Sequence, residues 1–436
     1  MAFEDAIQHK GWPVGAVFGP EGALAESFGV SVRVARQAFR LLEARGACRL
    51  QRGRGGGLII GQPDIGSTAL TMANHLIWSG ATMDEVWDAR MILEPLAMAE
   101  AAQMAGRDDL RDHGDGDEGH RPSFTTRIAN PCTALVFNCL ERFPGAMGGE
   151  ATSVRAELIA AIDTGDVDLV ARLSATDVDL RRSRDGGFLG EPLGLAATTH
   201  AELQSRRNLA SALALRIGAD ISYQGCCERR RLGSLAELGE QYNTGLPVLI
   251  EAIRILENIG VVECLQGRVG GIGLRLPRWN SILATVYSYL AAAHASQEDC
   301  KKIPISLNMI AAKRAVENYS TSISREMEQI LFNISQFEGG EVVLNWYNLQ
   351  RVLYKISGNV ILHAFTKCIS GYAVRAYSAE LTILSSGGRQ KVRQGTRIAT
   401  RGLLAGDAGR TAQGQAVAHA IVHPALSSDP SRPLAR

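Results

Sequence analysis

One framework of hydrophobic, glutamate and glycine positions occurs twice in this chain, 214 positions apart. Phe39-Arg-Leu-Leu-Glu-Ala-Arg-Gly46 aligns with Ile253-Arg-Ile-Leu-Glu-Asn-Ile-Gly260, and Arg54-Gly-Gly-Gly57 with Arg268-Val-Gly-Gly271. Whatever the first copy folds into, the second must fold into as well, and 436 residues allow two to four domains. The copies differ sharply in charge. Residues 31–54 carry seven arginines and one acid, whereas residues 245–268 hold Arg254 and Arg268 against Glu251, Glu257 and Glu263. Phosphate neutralisation dominates affinity for nucleic acid, so the first copy is expected to bind DNA more strongly. Net charge is only +1, which confines any such affinity to a local patch.

Local patterns give each copy the same outline. Leu24–Gly29 reads as a short helix ended by glycine, with Val30-Ser31 as turn and cap. Val34, Ala38, Leu41 and Leu42 give the next helix an apolar face up to Gly46. Residues 47–51 and 58–60 read as two strands joined by an Arg/Gly turn. Helix, turn, helix, hairpin is a winged helix-turn-helix. In the second copy it falls on 235–242, 249–258, 261–265 and 272–276. Helical spacing follows each unit: 83–102, 130–140 and 154–180 first, then 311–320, 349–358, 359–372 and 396–422. Residues 106–122 read as a loop. The expected fold is mainly α, with domains at 1–63 (winged), 64–190 (helical), 200–277 (winged, arginine-poor) and 278–422 (helical), and a disordered tail at 423–436.

A hydrophobic fraction of 46% describes an ordinary soluble protein. The eight cysteines include no CxxC pair, which suits reduced thiols in a cytosolic core. The N-terminus does not read as a signal peptide, and the best apolar run, 282–295, is too short to span a bilayer, so a cytoplasmic protein is expected.

Taken together, these residues resemble the GntR family of bacterial transcription regulators in its FadR-like branch. The resemblance rests on Leu24-Ala-Glu, Gly29-Val-Ser31, Arg36, Leu42-Glu43, Gly46 and Arg54-Gly-Gly56 in the first reader. In the first helical domain it rests on Arg90-Met-Ile-Leu-Glu-Pro95, Asn130-Pro131 and Ala161-Ile-Asp-Thr-Gly-Asp166. The second copy keeps Lys313-Arg-Ala-Val-Glu317, Ser357-Gly-Asn359 and Ala405-Gly-Asp407. The family joins a winged helix-turn-helix to an all-helical effector-binding domain, called FCD, and usually works as a homodimer. The resemblance therefore implies a fused tandem chain doing the work of a dimer, with further homodimerisation through the helical domains.

It also implies site residues. Double-stranded DNA would be met by Ser31, Arg33, Arg36 and Arg40 on the reading helix, by Arg52, Gly53 and Arg54 in the wing, and by Arg229, Arg230, Arg231 and Arg268 in the second copy. The family's first reading arginine falls on Gly22 and is missing, and the next falls on Val32, with Arg33 one residue along. In the second copy the Arg36 position is Ile250, which offers no bidentate donor to a base edge. Arg40 and Arg45 could instead pair with Glu43 or Glu26. Arg90 and Lys313 occupy a basic position of the helical domains, either paired with Glu94 and Glu317 four residues along or clamping a small organic-acid effector.

Many FCD domains hold a metal through an aspartate, a histidine four residues on and two later histidines. Those positions fall near Asp117, Arg121, Arg155 and Asp177, then near Trp346, Gln350, Thr396 and Ala418, with His120 and His419 one place off. No tight metal site and no cofactor are expected. His75, His200, His294 and His363 read as packing or surface residues, Cys226-Cys227 as inert. Gly53–Gly57 lacks the Lys-Ser/Thr of a phosphate loop, and no nucleophile, base and orienter recur together, so no enzyme is expected. The expectation is a ligand-responsive DNA-binding repressor. The competing one is a ligand-binding or assembly protein that has lost sequence-specific DNA binding.

Overall fold

Both copies build the same small unit from the same offsets. The computed structural model describes residues 2–51, 53, 56–105, 127–147, 152–185, 209–223, 231–259, 261–265, 270–274, 279–322, 329, 331–333, 342–381 and 386–422. The loop expected at 106–122 and the tail at 423–436 lie outside them. The first copy opens with α1 (Ala2–His9), followed by β1 (Val17–Gly19), α2 (Glu21–Ser27), α3 (Val32–Ala44), β2 (Cys48–Gln51) and β3 (Gly57–Ile60). The strands pair antiparallel in the order β1-β3-β2. Ser31 caps α3 by accepting the Val34 N–H at 3.3 Å.

The face of α3 differs from the expected one. Ala35, Phe39 and Leu42 are buried, while Val34 and Leu41 stand 50% and 48% exposed. Phe39 is the largest apolar side chain on the helix, and Phe3 of α1 packs on it with ring centroids 5.0 Å apart. Burying that ring stabilises by about 1.5–3 kcal/mol, enough to turn the stripe one residue from the Val34–Leu41 row.

The first helical domain has α4 (Ile65–Trp78), α5 (Met83–Ala105), α6 (Pro131–Leu140), α7 (Arg155–Thr164) and α8 (Val167–Arg184). The stretch expected as one helix over 154–180 is two. Gly165 turns left-handed at φ 75°, and Asp166 then caps α8 by accepting the Leu169 N–H at 3.0 Å.

The second copy continues with α9 (Leu209–Tyr223), β4 (Arg231–Gly233), α10 (Leu235–Gln241), α11 (Leu246–Ile259), β5 (Val262–Leu265) and β6 (Gly271–Leu274). Its sheet order, β4-β6-β5, and its register repeat the first: Val17 faces Ile59 as Arg231 faces Gly273, and Cys48 faces Ile60 as Val262 faces Leu274. Even the tight points recur. A Cβ on Gly57 would lie 2.5 Å from the Gly19 carbonyl oxygen, and one on Gly271 would lie 2.6 Å from that of Gly233. Where the first copy places Gly29 at φ 63°, the second places Asn243 at φ 47°, the non-glycine residue best suited to that region.

Next comes α12 (Trp279–Ala292). The sequence places it in the second helical domain, but the structure groups residues 1–295 as one unit and 296–436 as another. The reason is that α12 is buried on nearly every side and finds its partners in the first copy. Trp279 meets His75 of α4 at 4.5 Å between ring centroids, and the Ser288 hydroxyl donates to Glu4 of α1 at 2.7 Å. Reciprocally, α9 packs on α4.

The second unit contains α13 (Asp299–Ser322), α14 (Val342–Ser357), α15 (Val360–Leu381), α16 (Ser386–Leu404) and α17 (Ala408–Val422). Its caps repeat those of the first helical domain. Asn359 accepts from the Leu362 N–H at 2.9 Å as Asn130 accepts from Cys132 at 2.8 Å, and Asp407 accepts from Arg410 at 2.9 Å as Asp166 does from Leu169. The protein is thus mainly helical with two small antiparallel sheets.

Candidate nucleic-acid interface and interior sites

Arg33, Arg36 and Arg40 are spaced i, i+3, i+7 on α3, and all three are exposed. Arg33 and Arg40 form no ion pair among the described residues. Arg36 is held by Glu21 at the start of α2, Nε to Oε1 at 2.6 Å and Nη2 to Oε2 at 3.3 Å. That contact takes one edge of the guanidinium and leaves Nη1 directed elsewhere. Between α3, β2 and the hairpin lies a groove of about 750 Å³ lined by Arg36, Arg40, Glu21 and Glu43 together with Gly53, Gly56 and Gly57. Gly53, at φ 108°, has no atom within 4 Å of where a Cβ would stand, so its own backbone is uncovered. Arg52 and Arg54 lie outside the described residues.

Glu43 does not pair with Arg40 or Arg45 as the sequence suggested. Its carboxylate accepts the Leu50 N–H at 2.6 Å and fastens α3 to β2. Glu257 does the same for Cys264 at 3.0 Å. Arg45 instead reaches Glu4 of α1 at 3.1 Å, because it lies beyond the last turn of α3 on the side facing α1. Its partner sits on α1, a helix of eight residues, too short for its pattern to stand out in the sequence.

On α11 the positions of Arg33, Arg36 and Arg40 hold Pro247, Ile250 and Arg254, of which Arg254 is exposed and was not singled out from the sequence. Arg231 folds back on its own hairpin and donates to the Gly270 carbonyl at 2.5 Å. Arg229, Arg230 and Arg268 lie outside the described residues.

Inside the first helical domain is a cluster of buried charge. Arg90 is fully buried, 3.3 Å from Glu94, and donates to the carbonyls of Pro144 (2.6 Å), Leu140 (2.8 Å) and Phe143 (3.0 Å), closing the C-terminal end of α6. Its guanidinium also lies over the Trp87 ring at 4.8 Å. These contacts occupy it, so the effector-clamp role suggested for Arg90 is replaced by a structural one. Arg181 bridges Glu94 and Asp177, the latter at 2.9 Å. Asp177 also takes Arg155 on both oxygens, at 3.0 and 3.1 Å, and the hydroxyl of Thr152. Arg155 and Asp177, two of the positions weighed above as metal ligands, bind each other here. Burial opposes ionisation of Asp177, but the hydrogen bonds from Arg155 and Thr152 and the charge of Arg181 outweigh it and hold the carboxyl below its usual range. Burial and the neighbouring Glu94 push Glu141 the other way, against the pull of Arg90.

In the second unit, Lys313 is exposed on α13 and lines no cavity described here, so its suggested effector role finds no support in the geometry. The other suggested positions do converge. Trp346 and Gln350 of α14 line a cavity of about 390 Å³ with Tyr354, His363, Lys367 and Arg375. Gln350 donates to Gln415 at 2.7 Å, Thr396 donates to its own helix at Val392, and His419 meets Asn308 at 2.6 Å beside the Trp346 ring. His363, read from sequence as packing or surface, stacks on Tyr354 at 5.7 Å in the cavity wall. Burial, then the charges of Lys367 and Arg351, lower its pKa to about 4. His75 is buried, His294 is exposed, and His200 and Cys226-Cys227 lie outside the described residues. No disulfide joins the described cysteines, no group of three or more His, Cys, Asp or Glu converges among the described residues, and no described helix is long and apolar enough to cross a membrane. The sequence matches no model of a known protein family and no curated protein.

Proposed function

We propose that the chain is a ligand-responsive, DNA-binding transcription repressor. In this reading it carries two winged helix-turn-helix units and two FCD-like helical domains in tandem, as the resemblance to FadR-like GntR regulators implies. The observation that carries the proposal is the exposed row Arg33–Arg36–Arg40 beside a groove that Gly53, Gly56 and Gly57 also line, on a helix whose opposite face is buried. A helix so presented fits the major groove, with the turn against phosphate. The matching face of α11, with Pro247 and Ile250, favours backbone contact over base reading in the second unit.

The test is selection of a binding site from random DNA, followed by fluorescence anisotropy. Replacing Arg33 and Arg36 with alanine is expected to cost on the order of 1–3 kcal/mol per base contact on the selected site. Full affinity in the double variant, or the absence of any selected site, would overturn the proposal and favour a protein of this fold without sequence-specific DNA binding. One sharply specified half-site beside a tolerant one is the expected footprint.

A further inference from the structure

We propose that the second unit binds the backbone of duplex DNA, without regard to sequence, along a basic stripe on α16 and the first turn of α17. This contact is additional to the winged units and does not require that they read bases.

The net charge of +1 conceals a division. Residues 296–436, which form the second unit, hold 17 lysines and arginines against 10 aspartates and glutamates, whereas residues 1–295 hold 29 against 35. A cationic excess gathered in one unit is the electrostatic footprint of a polyanionic partner. Within that unit it concentrates on α16 and α17, whose charged residues are Arg389, Lys391, Arg393, Arg397, Arg401 and Arg410, with no aspartate or glutamate on either helix.

Arg389, Arg393, Arg397 and Arg401 follow one another at steps of four along α16. Such a row covers about 18 Å of helix axis while winding through only about a third of a turn. The other side of α16 is given to packing, with Val392, Gly395, Thr396, Ala399 and Leu403 buried. A Cβ on Gly395 would lie 2.7 Å from the Gly414 carbonyl oxygen, so close contact with α17 fixes which side of α16 faces outward. Arg389, Lys391, Arg401 and Arg410 are exposed and form no ion pair among the described residues. Arg393 and Arg397, half-buried along the row, already have partners, so the free charge lies with the other four. The backbone of Arg410 packs on Gly402, which puts that cation beside Arg401 at one end of the stripe. Asp407, at the same end, turns its carboxylate to the Arg410 backbone N–H at 2.9 Å.

The chemistry of the stripe selects among polyanions. A helix that binds a lipid surface inserts an apolar face beside its cations, and the apolar face of α16 is already buried within the unit. A phosphate backbone needs no apolar contact and is gripped by the fork of a guanidinium. Duplex DNA carries one charge per about 1.7 Å of axis, so a row of this length can run along roughly ten phosphates. Where the winged units hold DNA, the tether raises the local concentration of phosphate around the second unit.

Fluorescence anisotropy of the full chain on duplexes of random sequence, over a series of salt concentrations, tests this in the background of Arg33→Ala with Arg36→Ala. That background is expected to keep salt-dependent duplex binding. Adding Arg389→Gln, Lys391→Gln, Arg401→Gln and Arg410→Gln should lower the slope of log affinity against log salt by about one per phosphate contact, roughly three to four in all. Lysine in place of the three arginines keeps the charge and should keep the slope. A slope lowered by less than about one, a lysine variant as weak as the glutamine one, or loss of all duplex binding in the starting background would each overturn the proposal. So would an unchanged DNA slope together with binding to phosphatidylserine vesicles that the glutamine substitutions abolish, which would assign the stripe to a lipid surface. Because the duplexes are random, failure to select a DNA site would refute the regulator and leave this contact standing.

Discussion

Replacing Asp177 with asparagine should destabilise the first unit more than any other substitution that keeps side-chain volume. Asp177 is fully buried and accepts from Arg155, Arg181 and Thr152 at once. Asparagine keeps the shape but removes the charge, and its amide would point donors at donors. Two guanidinium groups would then share the carboxylates that remain, chiefly Glu94. Breaking a buried pair by removing one partner costs about 3–5 kcal/mol. A cooperative unit this large shifts by about 2 °C per kcal/mol, so its transition should fall by ~6–10 °C in differential scanning calorimetry. The transition of the second unit should not move. The pH dependence has a definite sign. A carboxyl held below its usual range stabilises the fold above the unfolded value of about 4, and that contribution is lost as pH falls further through the depressed value. Wild type should therefore lose stability below about pH 4 more steeply than the variant. A drop of less than about 2 °C, or identical acid limbs, would mean that water already solvates the cluster and that the argument from burial is wrong.

Further outcomes follow from other contacts. Gly57→Ala should destabilise the first small unit, since its Cβ would meet the Gly19 carbonyl, and thermal melts of Gly57→Ala and Gly271→Ala should show similar losses. His363, with its pKa lowered to about 4, is neutral near pH 7, so the second unit should weaken as pH falls from 6.5 toward 4; His363→Phe should flatten that limb in acid-titration fluorescence. Replacing Arg52 or Arg54 should weaken binding to all DNA sequences alike and lower the salt slope by roughly one per lost phosphate contact. Light scattering should give twice the mass of the 46.8 kDa chain if the helical domains pair.

The small β-containing units were the most legible part of the sequence because their rules are local. Glycines at turns, a serine cap and a conserved offset located α2, α3, β2 and β3, and the same offset carried over to α10, α11, β5 and β6. The facing of α3 was misread because Val34 and Leu41 are apolar yet exposed, and only contact with Phe3 shows which side Phe39 takes. α1 and β1 are too short for a periodic pattern to stand out, and α9 is longer but lacks a cap or stop signal within its bounds. Arg90 could be narrowed to two roles by its spacing from Glu94. The carbonyls at the end of α6 that decide between them lie some fifty residues away, and spacing along one helix carries no record of them.

The matched glutamates, Glu43 on Leu50 and Glu257 on Cys264, are present in both copies, whereas the counterpart of Arg36 is Ile250. In an assembly of identical subunits every surface change is made twice, once per subunit. A chain that holds both halves makes it once. One face can then drift while its counterpart is kept, and an unsymmetrical target can be matched without a second gene product. Two copies of the small unit on one chain also stay together at any dilution, because a covalent tether holds them whatever the protein concentration.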